Sequence, residues 1–238
     1  MTKGEGKAGT RPGRPTLVAT RPPTRNERKQ ATRQELIQAT IDAIAEGGLS
    51  ALTLGKITQR ADLSRGLVNF HFRHKEQLLV ETLSFLTEEY RQSWRQAVAR
   101  AGADPAAELE AIVRNDFHPA ICNRKKVAVW FAFRGESKAR PTYLEVCKRA
   151  DDEFSTVVTG IVGRLVAAGG YRIDPQATAI GLQAMIEGLW LDCLMYPQSF
   201  RREDAMATVM SYLAAVMPDH FSVEPPCPAA RASHGGRS

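Results

Sequence analysis

The stretch from Thr53 to Leu79, TLGKITQRADLSRGLVNFHFRHKEQLL, admits few folds. Leu54, Ile57 and Ala61 recur at helical spacing behind Thr53, whose hydroxyl can accept from an otherwise orphaned backbone N–H and so cap the first turn. Asp62-Leu63-Ser64 breaks that run after about two turns. Leu63 can plug inward there, while Ser64 caps a second short helix from Arg65 to Phe72. Leu67, Phe70 or His71, and Phe72 are expected to face a core. Arg65, Gly66, Asn69 and one aromatic are then left outside.

Two short helices joined by a tight turn form a helix-turn-helix, whose second helix presents its N-terminal half to base edges and phosphates. The flanking segments supply its support. A helix over about Glu27 to Glu46, with Leu36, Ile37, Thr40, Ile41 and Ile44 on one face, is expected to end at Gly47-Gly48 in an αL cap. From Lys75 a long helix runs toward Arg100, with Leu79, Leu83, Leu86, Tyr90, Trp94 and Ala97 as a buried stripe. Tyr90 and Trp94 read as core. Because this helix starts at the reader and ends in the body of the protein, it is the natural lever between the two.

Cap signals continue along the chain. Asp104-Pro105, Asn123, Pro141 and Asp174-Pro175 each open a helix, Gly169-Gly170 stops one, and a last helix spans about Arg202 to Met217. No run alternates with period two for long. The expected class is all-α, with an arm at 1–26, a helix-turn-helix domain at 27–74, a helical sensing and dimerisation domain at 75–221, and a tail at 222–238.

Ala177, Gly181, Ala184 and Gly188 form a small-residue ridge, flanked by the apolar bulk of Met206, Met210 and Leu213. Helices this apolar predict a four-helix interface in a homodimer, with Gly181, Ala184, Gly188, Met206, Met210 and Leu213 inside it. A membrane span is the competing reading of the same run, but Gln183, Glu187 and Asp192 interrupt it.

The net charge is +6, and the first 33 residues alone carry a surplus of +7, so the basic character belongs to the arm. That arm is poor in apolar residues and rich in Gly, Pro, Thr and Arg, as expected of a disordered segment, and the tail after Phe221 is similar. Its RPGRP segment resembles the Gly-Arg-Pro core of AT-hook peptides, which implies minor-groove contacts for Arg11 and Arg14; a solvated tail is the alternative reading. A secretory signal pattern is absent, which points to a cytoplasmic protein.

Catalysis finds no foothold. Cys122, Cys147, Cys193 and Cys227 make no CxxC pair, the five histidines make no metal-spaced pair, and HExxH, GxSxG and P-loop patterns are missing. No catalytic residue, metal or cofactor is expected.

At Phe72, Lys75, Leu78 and Leu79, within Arg33 to Leu83, the chain resembles the TetR family of bacterial transcription regulators, although Asn69 replaces the family's usual Tyr. The resemblance implies operator binding by Thr53, Ser64, Arg65, Gly66, Asn69, Phe70, His71 and Lys75, the last holding a phosphate at a helix N-terminus. Trp130, Ala132 and Phe133, and Glu187 to Leu191, resemble the BetI-like branch of that family, which controls choline-to-betaine metabolism. This implies a repressor released by a small-molecule effector such as choline. A quaternary ammonium donates no hydrogen bond, so aromatic faces and a carboxylate must hold it. Trp130, Phe133, Tyr143 and Trp190 are the candidate aromatics and Glu187 the candidate carboxylate; Arg134 stands where branch members often carry an aromatic. A TetR-type repressor for an unrelated ligand, or a DNA-binding factor without an effector, stays open at this point.

Overall fold

The computed structural model describes residues 21–22 and 24–222, and among them are nine helices and no strand. The expected arm and tail, with Arg11 and Arg14, fall almost wholly outside the described residues. Helix α1 (Arg25–Gly47) starts two residues before the expected position, because Thr24 and Glu27 form a reciprocal capping box that satisfies the first turn. It ends at Gly48 with φ 73° and ψ 170°, which is a positive-φ stop but lies outside the αL basin expected there.

Helices α2 (Leu54–Ala61) and α3 (Arg65–His71) are set by three short-range devices. Thr53 accepts from the Lys56 amide, Asp62 turns the chain in the αL conformation at φ 54°, and Ser64 accepts from the Leu67 amide. Their inward face differs from expectation. Val68 and Phe72, four residues apart, are the buried line of α3, whereas Leu67 and His71 flank it half-buried and Phe70 is 64% exposed. Leu63 is half-buried at the turn.

Helix α4 (Lys75–Ala101) leads directly from the helix-turn-helix into the body, and its first turn is capped by His74, whose Nδ1 accepts from the Gln77 amide at 3.1 Å. Helices α5 (Pro105–Asp116), α6 (Arg124–Glu136), α7 (Pro141–Gly169), α8 (Pro175–Met195) and α9 (Arg202–Val216) build the body. Asp104, Asn123 and Asp174 cap α5, α6 and α8 through their side chains, and Gly170 ends α7 in the αL conformation. Among the described residues, no helix is long and apolar enough to cross a membrane.

Two hydrophobic cores meet along α4. One joins α1–α3 to Leu78, Leu79, Leu83 and Leu86; the other packs Trp94 among α5, α7, α8 and α9. The head core is not closed by its own helices. Val129 and Phe133 of α6 and Tyr143 and Cys147 of α7 complete it, so burial of the head's apolar face depends on the body. Ion pairs reinforce this junction: Lys125 to Asp42 at 2.8 Å, Arg140 to Glu76 at 2.7 Å, and Arg33 to Glu81.

Candidate functional site

The head presents one continuous outward surface. Arg65, Gly66, Asn69 and Phe70 are exposed on α3, beside the exposed cap residues Thr53 and Ser64. Gly55 of α2 leaves room for this arrangement, since a Cβ there would stand 3.2 Å from the Arg65 guanidinium. Lys29, near the start of α1, sits 5.6 Å above the Phe70 ring and brings the basic end of α1 to the end of α3. Charge periodicity gives no hint of that proximity, which arises only from the packing of α1 across the pair. His71 is half-buried with its Nδ1 unpartnered, and burial, then the charges of Lys29 and Arg33, lower its pKa. Lys75 is half-buried too, and its ammonium donates to the Leu52 carbonyl, which leaves two of its three N–H groups for another acceptor.

Inside the body, five helices converge on a second site. Tyr90 of α4 stands with its ring 6.5 Å from Trp130 of α6, 5.9 Å from Phe154 of α7 and 5.7 Å from Trp190 of α8. Two narrow clefts open on this cluster, and both are lined by Tyr90, Trp130 and Trp190. Asp116, the last residue of α5, forms the floor of the second and is fully buried. Its Oδ1 accepts from the Tyr90 hydroxyl at 2.8 Å, its carbonyl accepts from the Trp190 indole at 2.9 Å, and its Oδ2 has no partner. Burial pushes the Asp116 carboxyl up to about 7, against the pull of the Tyr90 hydrogen bond. Asp151 and Glu187 line the same cleft and share the Arg134 guanidinium.

The expected effector residues therefore divide. Trp130, Trp190 and Glu187 meet in the cleft, but Phe133 and Tyr143 do not. They stack edge-to-face at 5.1 Å inside the head core, both fully buried. The reason is helical geometry: Val129 and Phe133 make one line of α6, aimed at the head, while Trp130 and Arg134 make the adjacent line, aimed at α7 and α8. Tyr90, expected as core, packs against the body core and is also the hub of the cleft, and Asp116, Asp151 and Phe154, none of them expected at a site, join it.

The expected interface residues divide as well. Ala184 and Gly188 are exposed on α8, in line with Ile180, Leu191 and Met195, whose exposure reaches 59%. Gly181 instead faces Tyr212 of α9, and Met206 and Met210 are half-buried. Leu213 is fully buried within its own chain, because it shares a line with Val209 and Met217 that closes the body core.

Comparison with known proteins accords with this geometry. Residues 36–82 match the family model described as bacterial regulatory proteins, tetR family, and residues 105–218 match that described as BetI-type transcriptional repressor, C-terminal. The HTH-type transcriptional regulator BetI of Yersinia pestis (strain Pestoides F) is 28% identical over 172 residues, covering 72% of this chain and 85% of the relative. That of Paraburkholderia xenovorans (strain LB400) is 29% identical over 176 residues, covering 73% and 87%. In fold, the chain is similar to a crystal structure described as a transcriptional regulator from Pseudomonas aeruginosa PAO1, with TM-score 0.72, 23% identity and coverage of 80% and 93%. It is also similar to one from Saccharomonospora viridis in complex with choline, with TM-score 0.67, 20% identity and coverage of 77% and 96%. A capped helix pair whose second helix is largely exposed, carried on an all-α body that matches over most of its length, identifies the chain as a member of the TetR family of transcriptional regulators, with the C-terminal domain of a BetI-type repressor and no enzymatic role.

Proposed function

We propose that this repressor binds its operator as a homodimer and is released by a small organic cation, choline or a related quaternary ammonium compound. The observation that carries the effector reading is the cleft: four aromatic rings around a buried carboxylate with a free oxygen. Each aromatic face contributes roughly 0.5 to 2 kcal/mol toward a cation, and Asp116 supplies the opposite charge. The choline-bound neighbour from Saccharomonospora viridis supports the same class.

The operator is read by α3. Arg65 and Asn69 reach base edges, Phe70 offers an apolar contact, Thr53, Ser64 and Gly66 allow close approach to the backbone, and Lys75 with the start of α4 holds a phosphate. The exposed line of α8 through Ile180, Ala184, Gly188 and Leu191, with Met206 and Met210 of α9 beside it, pairs with its equivalent in a second copy. Two heads are then set for half-sites about 34–36 Å apart. A guest between Tyr90 and Trp130 bears on α4 and α6 together, and both helices enter the head core, so occupancy selects a different spacing of the heads.

The test is anisotropy of a labelled DNA fragment selected for binding to the full-length protein, titrated with choline and with betaine aldehyde. Release by either at millimolar concentration or below supports the reading. Binding to DNA that neither compound affects assigns the protein to a TetR-type repressor with an unrelated ligand, or to an effector-independent factor.

A further inference from the structure

The cleft already holds a cation of its own. Arg134 lies one turn beyond Trp130 on α6, and its guanidinium carbon stands 5.0 Å from the centroid of the Trp130 ring. The same group donates from Nη2 to Asp151 Oδ1 at 2.8 Å and lies 3.2 Å from Glu187 Oε1. An aromatic face and two carboxylates are the partners that recognise a weakly hydrated organic cation. Here one side chain takes all three.

It takes them imperfectly. Arg134 Nε is buried without an acceptor, so the guanidinium leaves one of its donors unused. Trp130 Nε1 and Asp116 Oδ2 are likewise buried and unpartnered on the same cleft. One half of the cleft, around Tyr90, Trp190 and Asp116, thus lacks a counter-charge, while the other half is filled from within.

We propose that Arg134 is a tethered competitor for the effector cation. Its guanidinium covers the Trp130 face and neutralises Asp151 and Glu187, so a guest gains the full aromatic cage only by displacing it. Tethering makes the competitor effectively concentrated, since its approach costs no translational freedom. Affinity for a free cation is therefore set below what the aromatic and acidic lining would otherwise give. Displacement also breaks the ion pairs that tie α6 to α7 and α8, which frees the helix whose other line, Val129 and Phe133, is packed in the head. This inference rests on the cleft being the effector site.

Calorimetric titration of the full-length protein with tetramethylammonium chloride, against sodium chloride at matched ionic strength, separates the possibilities. The variants are Arg134→Gln and the double variant Arg134→Gln/Asp151→Asn, which keeps the charge of the Arg134, Asp151 and Glu187 group as in the wild type. Both are expected to bind tetramethylammonium about tenfold or more tightly than the wild type, the factor that 1.4 kcal/mol represents. A gain confined to the single variant would mean that charge alone is responsible and would overturn the proposal. Equal binding by all three proteins overturns it too, yet leaves the effector reading standing. Binding by none of them removes both. Circular dichroism checks that the variants fold; if the glutamine variants do not, Arg134→Lys, which keeps the charge but loses planar stacking, must show a gain of a few-fold. Unchanged affinity in that variant refutes the idea.

Discussion

Asp116→Asn is the substitution that most directly interrogates the cleft. The wild-type carboxyl is fully buried and its pKa stands at about 7 instead of the ordinary 3.8. The sign follows from linkage. A group whose folded pKa is raised favours the folded state fully below pH 3.8, and that advantage is lost as pH rises through about 7. At pH 8 the ionised carboxylate withdraws about 4 kcal/mol at most from folding, at about 1.4 kcal/mol for each pH interval between the two values. Asparagine cannot ionise, and its carbonyl can still accept from the Tyr90 hydroxyl, whose partner atom lies at 2.8 Å. Thermal unfolding followed by circular dichroism should place the variant level with the wild type near pH 4 and above it near pH 8. The gap should be no more than about 8–16 °C, at about 2–4 °C per kcal/mol for a chain of this size. Effects of pH on all other groups cancel in that difference. A gap that stayed constant from pH 4 to pH 8 would refute the reasoning, because it would mean that water reaches Asp116 and solvates its charge. The same variant should bind choline more weakly and lose the pH dependence expected of the wild type, whose affinity falls as pH drops below about 7 and Asp116 takes up a proton.

The remaining predictions concern the head, the core and the interface. Lys75→Ala should weaken operator binding about equally on all sequences and reduce the salt slope by about one, whereas Asn69→Ala should cost about 1–3 kcal/mol on the preferred sequence and relax its selectivity. Mobility shifts at several salt concentrations read both. Phe133→Leu should lower the melting temperature through its fully buried position, yet leave choline affinity unchanged in calorimetry; a selective loss of affinity would return Phe133 to the effector site. Ala184→Arg, on the exposed line of α8, should give monomers in sedimentation velocity and a large loss of operator affinity with no loss of helix content.

Much of this molecule is written locally. Helix starts at Thr53, Ser64, Asp104, Asn123 and Asp174 follow from side chains that satisfy orphan N–H groups within three residues, and tertiary packing changes none of them. The head's exposed face was legible for the same reason: α3 is short and capped, so exposure of Arg65, Gly66 and Asn69 follows from few choices. Even there, one choice failed. Periodicity put Leu67, Phe70 or His71, and Phe72 on the inward line and passed over Val68, because seven residues span too few turns to fix the phase of a helix.

What the sequence by itself determined is the set of elements and their class: among the described residues, nine helices at nearly the expected bounds, with a helix-turn-helix ahead of the body. What only the tertiary structure decided is which of two adjacent lines on each long helix faces which neighbour. On α6 that choice sends Phe133 to the head and Trp130 with Arg134 to the cleft; on α9 it sends Leu213 inward. The physical reason is that every apolar side chain gains about equally from burial in either core. Hydrophobicity therefore says that a residue will be covered, and only the packing of α4 between two cores says by what. The cleft is the product of that packing: Tyr90, Asp116, Trp130, Phe154 and Trp190 come from five helices and are brought together by no local rule.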